Sequence, residues 1–70
     1  MAYKFPKNEV LWVTYYKDDE PKFFITSSPM RDVYFLYEVE NGKLNKLGKE
    51  TSPMMLEQKF SVREKIALSK

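Results

Sequence analysis

Seventy residues make one small domain, and a chain of this length buries only roughly 60% of the surface that its unfolded form exposes. The chain has no Cys and no His, which excludes disulfides, thiolate and imidazole metal ligation, and the commonest catalytic nucleophile and base. Hydrophobic content of 43% and charged content of 31% exclude a disordered chain, and a net charge of +2 is too small for a DNA-packaging protein.

The opening stretch, MAYKFPKNEV, has no apolar core of signal-peptide length. No run approaches the roughly 20 apolar residues of a membrane span. A soluble, cytoplasmic protein is the expectation, and the lack of Cys fits a reducing compartment.

The first strand is expected at about 10–16, VLWVTYY, which is rich in β-branched and aromatic residues. Lys17-Asp18-Asp19-Glu20-Pro21 reads as a loop of four or five residues, with Pro21 ending the ladder. The acidic run lacks the alternate spacing and glycine of a calcium loop and reads as a solvated turn. A second strand is expected at about 22–27, then a turn with Pro29 at its second position and Ser28 before it.

Strand three, about 33–39, carries Tyr34, Phe35, Leu36 and Tyr37 side by side. Successive strand residues point to opposite faces, so both faces of this strand are apolar and something must cover each. Asn41-Gly42 closes a second hairpin onto a strand at about 43–48. A two-residue type I′ turn pairs Val39 with Leu44, whereas a three-residue loop shifts the register by one. Leu44 and Leu47 are three apart, so this strand is covered on both sides or bulges.

Ser52-Pro53 is a helix start, and residues 53–68 are mostly helix formers. Met55, Leu56, Phe60, Val62, Ile66 and Ala67 form one arc, interrupted by Lys59 and Arg63. Ser61-Val62-Arg63-Glu64 has the form of a capping box, so two short helices with a kink are the alternative to one helix. A strand over Phe60, Val62, Ile66 and Leu68 is the third reading.

Chemistry is thinly represented. A Ser27-Ser28/Lys22 pair reads as loop chemistry, and Glu38 and Glu40 read as cross-strand partners of the next strand. Gly42 and Gly48 are the only glycines, so no phosphate-cradling loop exists. The chain is expected to be no enzyme and to need no cofactor or metal.

Binding is the expected function. Sorting strands by parity groups Trp12, Tyr16, Phe24 and Tyr34 as an open aromatic platform, on the face opposite the helix, for a protein partner or a second copy. Met30, Met54 and Met55 would be adaptable contacts. The alternative is nucleic-acid binding, with stacked bases and with Lys43, Lys46, Lys49, Arg63 and Lys65 on phosphates. The second half of the chain supports that alternative: residues 43–70 carry seven cations against three acids, and residues 1–42 carry five against seven. Lys43 and Lys46 nonetheless point to opposite faces of a regular strand.

The expected fold is α+β: a small curled four-stranded antiparallel sheet of two hairpins, followed by a C-terminal helix across one face. The expected core is Val13, Tyr15, Ile25, Phe35, Tyr37, Val39, Leu56, Phe60 and Ile66. Two hairpins followed by a helix resemble, in element order, the small SH3-like barrels, among them the archaeal chromatin proteins. The resemblance implies an open barrel and carries no residue roles, and the net charge is too low for the chromatin role. In size and composition the chain also looks like a small accessory protein of a phage or mobile element.

Overall fold

The computed structural model describes residues 3–67. It contains strands β1 (Val10–Lys17), β2 (Glu20–Ser28), β3 (Val33–Glu40) and β4 (Lys43–Glu50), then helices α1 (Pro53–Lys59) and α2 (Val62–Ala67). The strands form one antiparallel meander in the order β1-β2-β3-β4. β1 and β4 are the outer strands, so the sheet is open and the class is α+β.

Both hairpins next to the sheet's outer strands turn in two residues. Asn41 and Gly42 have φ of 52° and 76°, and Glu40 pairs with Lys43 and Val39 with Leu44, which is the type I′ register. Asp18 and Asp19 have φ of 55° and 66°, and Lys17 pairs with Glu20. The expected loop of four or five residues is therefore a two-residue turn, and β2 begins earlier than expected. Pro21 stays inside the strand because the β1–β2 register slips there: Tyr15 pairs with Phe23 and Tyr16 with Pro21. An irregularity tolerates a residue that has no N–H. Between β2 and β3, Ser28 C=O accepts the Arg31 N–H at 3.0 Å, with Pro29 in the expected second position.

Two further bulges decide which side chains share a face. Leu11 pairs with Thr26 and Val13 with Ile25, leaving Trp12 as the extra residue of β1. The bulge overturns the simple parity expectation, because Leu11 now leaves the face of Val13 and Tyr15 while Trp12 joins it, its ring 5.4 Å from that of Tyr34. In β4, Leu36 pairs with Gly48 and Tyr37 with Lys46, leaving Leu47 extra. Leu44 and Leu47 therefore cover opposite faces on a strand that also bulges.

One face packs against the helices. Its core is Tyr15, Phe23, Ile25, Leu36, Leu56 and Val62, with Val13, Tyr34, Leu47, Phe60 and Ile66 around it. Each fully buried aliphatic or aromatic side chain here contributes about 1.5–3 kcal/mol by leaving water. α1 lies over β3 and β4, and α2 over β1. The tail is thus the kinked version of the expected helix, and Leu68 lies outside the described residues. Pro53 opens α1 as expected, but the Ser52 side chain makes no capping hydrogen bond. The break falls at Phe60-Ser61, where Ser61 adopts φ of 52° and its N–H reaches Gln58 C=O. Ser61 thus takes the left-handed position that usually ends a helix.

The second face has its own core: Phe24, Phe35 and Tyr37, with Tyr3, Phe5, Val33, Val39 and Leu44 packed against it. Tyr3 and Phe5 belong to the segment before β1, so residues 3–9 cover the face opposite the helices. Phe35, Tyr37 and Val39, expected in one core with the helix, lie beneath this segment instead. Phe23, Leu36 and Val62, absent from the expected core, are each fully buried on the helix side.

Gly48 shows how closely the helix side is packed. A Cβ at Gly48 would lie 2.7 Å from Cζ of the Phe60 ring. Gly48→Ala is expected to cost about 1–3 kcal/mol through overpacking, read from urea unfolding. An unchanged midpoint would mean that Phe60 does not seat on this glycine.

Candidate protein-binding surface

The two covering segments are each fastened to the sheet by a buried tyrosine and a glutamate. On the helix side the Tyr15 hydroxyl donates to Glu57 Oε2, and Arg63 Nε donates to Glu57 Oε1 at 2.9 Å. On the other side Glu9 Oε1 accepts from the Tyr37 hydroxyl at 2.6 Å and from Thr26 Oγ1 at 2.8 Å. Lys46 Nζ stands 3.8 Å from the second oxygen, and the Glu9 side chain is only 6% exposed.

Burial, followed by the hydrogen bond and charge of the partner carboxylate, pushes both tyrosine hydroxyls well above their ordinary range. The hydrogen bond from Tyr15, with help from Arg63 and against desolvation, holds Glu57 below the usual carboxylate range. The signs follow from linkage. The tyrosines' contribution is complete below their unfolded value of about pH 10 and is lost as pH rises through the elevated folded values. The Glu57 contribution is present above about pH 4.3 and is lost as pH falls through its depressed value. The melting temperature is therefore expected to fall on both sides of this window. Tyr15→Phe and Tyr37→Phe should each flatten the alkaline fall. A melting temperature in either variant that follows pH above 10 just as the wild type does would contradict the assignment.

The four aromatics expected as one platform are separated. Phe24 is buried at 5% exposure, beneath Tyr3 and Phe5 with both ring centroids 5.4 Å away. Tyr34 is half-buried on the helix side and holds Trp12 edge-on. Trp12 and Tyr16 are exposed, at 57% and 60%, toward opposite ends of β1. The expectation of an open face opposite the helices is thus corrected, because the chain's own N-terminal segment occupies it.

What stays exposed is the outer strand β1. Val10, Leu11, Trp12 and Tyr16 are all exposed, and Lys17 is the only charged residue of the strand. The other outer strand, β4, reads KLNKLGKE, so it carries the lysines that ordinarily protect a sheet edge. Met30, Met54 and Met55 are exposed as well.

The five expected phosphate contacts do not form one surface. The Leu47 bulge puts Lys46 and Lys49 on the face of residues 3–9, where Lys46 Nζ lies 4.3 Å from the Phe35 ring centroid. Lys43 pairs with Glu40 on the opposite face. Arg63 is held by Glu57, and Lys65 Nζ lies 6.0 Å from the Phe23 ring centroid.

Sequence reasoning missed Glu9, which fastens the N-terminal segment to the sheet through Thr26, Tyr37 and Lys46. Its signal was present in the alternation of Tyr3 and Phe5 with Lys4 and Pro6, which places two rings on one side of an extended segment. Among the described residues, no group of three or more acidic side chains is placed to hold a metal ion, and no helix is long and apolar enough to cross a membrane. No family model matches the chain, and neither a curated protein nor a solved structure matches it.

Proposed function

We propose that the protein is a non-catalytic binding module whose contact surface for a protein partner is the outer strand β1. The observation that carries this reading is the exposure of Val10, Leu11, Trp12 and Tyr16 on one edge strand, in a domain that covers both faces of the rest of its sheet. Val10, Leu11 and Trp12 are consecutive and exposed, and an apolar edge strand without protecting charges is a ready template for pairing with another chain. Trp and Tyr are the side chains that most often anchor a protein interface. Trp12 is braced by Tyr34, so it meets a partner with less side-chain freedom to lose. Nucleic-acid binding has less support, because the cations of the second half are divided among three surfaces and Arg63 is already paired.

The test compares the tagged wild-type chain with Trp12→Ser/Tyr16→Ser and with Lys43→Ala/Lys46→Ala/Lys49→Ala, by affinity purification from the cells that make it. Surface changes of this kind usually leave stability within about 0.5 kcal/mol, so the fold is expected to survive in the aromatic variant. The expected result is a protein retained by the wild type and the lysine variant and lost from the aromatic variant. Retention of the same proteins by all three chains contradicts the reading. A nuclease-sensitive set lost only with the lysines contradicts it too.

A further inference from the structure

We infer that the sheet face beneath residues 3–9 is a second binding site, built for an extended peptide that carries two aromatic side chains followed by a carboxylate. The chain's own Tyr3–Glu9 segment is its present occupant. The site is separate from the β1 edge and goes beyond the reading proposed for that edge.

Residues 3–9 contain no strand or helix. Tyr3 and Phe5 are half-buried while Lys4 and Pro6 are exposed, so the segment lies extended with alternate side chains turned inward. The Glu9 N–H bonds to Pro6 C=O at 3.0 Å, a turn internal to the segment. The described attachments to the sheet are made by side chains. They are the rings of Tyr3 and Phe5 on Phe24, the Phe5 ring on Tyr37 at 5.6 Å, and the Glu9 carboxylate. Recognition through alternate side chains of an extended chain is a general mode of peptide binding.

The charge of this face fits a carboxylate. Side chains of directly paired residues share a face. By that rule Glu38, Glu40 and Glu50 all stand on the helix side, opposite Phe23, Lys43 and Tyr34. Glu20 joins them, one residue out of step with Pro21. The strands give the second face no acid, but they give it Lys46 and Lys49. Glu9 is the acid that meets Lys46 there, and it also occupies the two hydroxyls of Thr26 and Tyr37. A peptide supplying a carboxylate at the same point would satisfy all three groups, whereas one lacking it would leave two buried hydroxyls unpaired.

A tethered segment competes with any peptide in trans, so the apparent affinity of the face is reduced by the fraction of molecules in which the segment is lifted. Weakening the segment in cis should therefore raise binding in trans. The probe is a fluorescein-labelled peptide of residues 3–9, YKFPKNE, titrated by anisotropy into the full-length wild type and into full-length Phe5→Ser/Glu9→Gln. The double variant is expected to bind it more tightly than the wild type by about tenfold or more. A peptide carrying the same two substitutions is expected to bind neither chain.

A folded variant that binds the peptide no better than the wild type overturns the proposal. So does a variant that takes a single-stranded oligonucleotide in place of the peptide. Should the double variant fail to fold, the wild type is used with isotope labels and excess unlabelled peptide. Chemical-shift changes centred on Phe24, Phe35 and Tyr37 are then expected, and their absence overturns the proposal.

Discussion

Leu36→Ala is expected to leave the domain largely unfolded at room temperature. Leu36 is fully buried, at the centre of β3, between Ile25 of β2 and Gly48 of β4. It lies within the helix-side core that also takes in Leu56 and Val62. Its two neighbours across the sheet cannot fill a void, since Gly48 has no side chain and Ile25 is itself fully buried. A cavity at such a site costs about 3–5 kcal/mol. A chain of this size has roughly 4–10 kcal/mol in total, so most of its stability would go. Urea titration followed by far-ultraviolet circular dichroism measures the loss. Val39→Ala, at the half-buried rim, is the control and should cost much less. A Leu36→Ala penalty below about 1 kcal/mol would contradict the packing described, because it falls outside what fully buried leucines show.

Glu9→Ala is expected to be the most damaging change outside the helix-side core, at about 2–3 kcal/mol. It removes the acceptor of two hydroxyls, from Thr26 and Tyr37, both on buried residues. It also removes the counter-charge of Lys46. Glu9→Gln keeps the shape and one acceptor oxygen and should cost less. A cycle of Glu9→Ala, Tyr37→Phe and the double variant isolates the shared bond, and a coupling of about 1–3 kcal/mol is expected. Additive losses would mean that Glu9 and Tyr37 act independently, leaving Thr26, Lys46 and the two rings to hold the segment.

The architecture was legible wherever local chemistry decides. Asn41-Gly42 marks a hairpin turn and Ser52-Pro53 a helix start, and both lie where expected; of the open alternatives, the structure has the two-residue type I′ register and the break at Ser61. The two-sided strand Tyr34-Phe35-Leu36-Tyr37 put apolar groups on both faces of the sheet, without deciding whether the second face is covered by the chain itself, by a partner or by water. The identity of the second cover was not legible in the same way. A segment of seven residues, held by side chains rather than by a ladder, leaves no helical or full strand pattern in the sequence.

The candidate site suffered from a different effect. Parity assigns side chains to faces only while the ladder is regular, and one extra residue reverses every assignment beyond it. The bulge at Trp12 moved that ring beside Tyr34, away from the face of Phe24, and the bulge at Leu47 brought Lys46 and Lys49 onto one face. Asp18-Asp19 looks like part of a longer loop in the sequence because aspartate is a weaker marker of the left-handed turn than Asn-Gly. Pro21 strengthens that impression, since proline marks the end of a strand more often than a register slip within one.

The account turns on residues 3–9 lying across the face opposite the helices. The most direct measurement is a two-dimensional nuclear Overhauser spectrum of the full-length chain, with the aromatic ring protons assigned. Cross-peaks from the Phe5 ring to the rings of both Phe24 and Tyr37, and from Tyr3 to Phe24, are the expected result. A Phe5 ring with random-coil shifts and no cross-peak to either partner would contradict the account, and would leave Phe24, Phe35 and Tyr37 as an uncovered face.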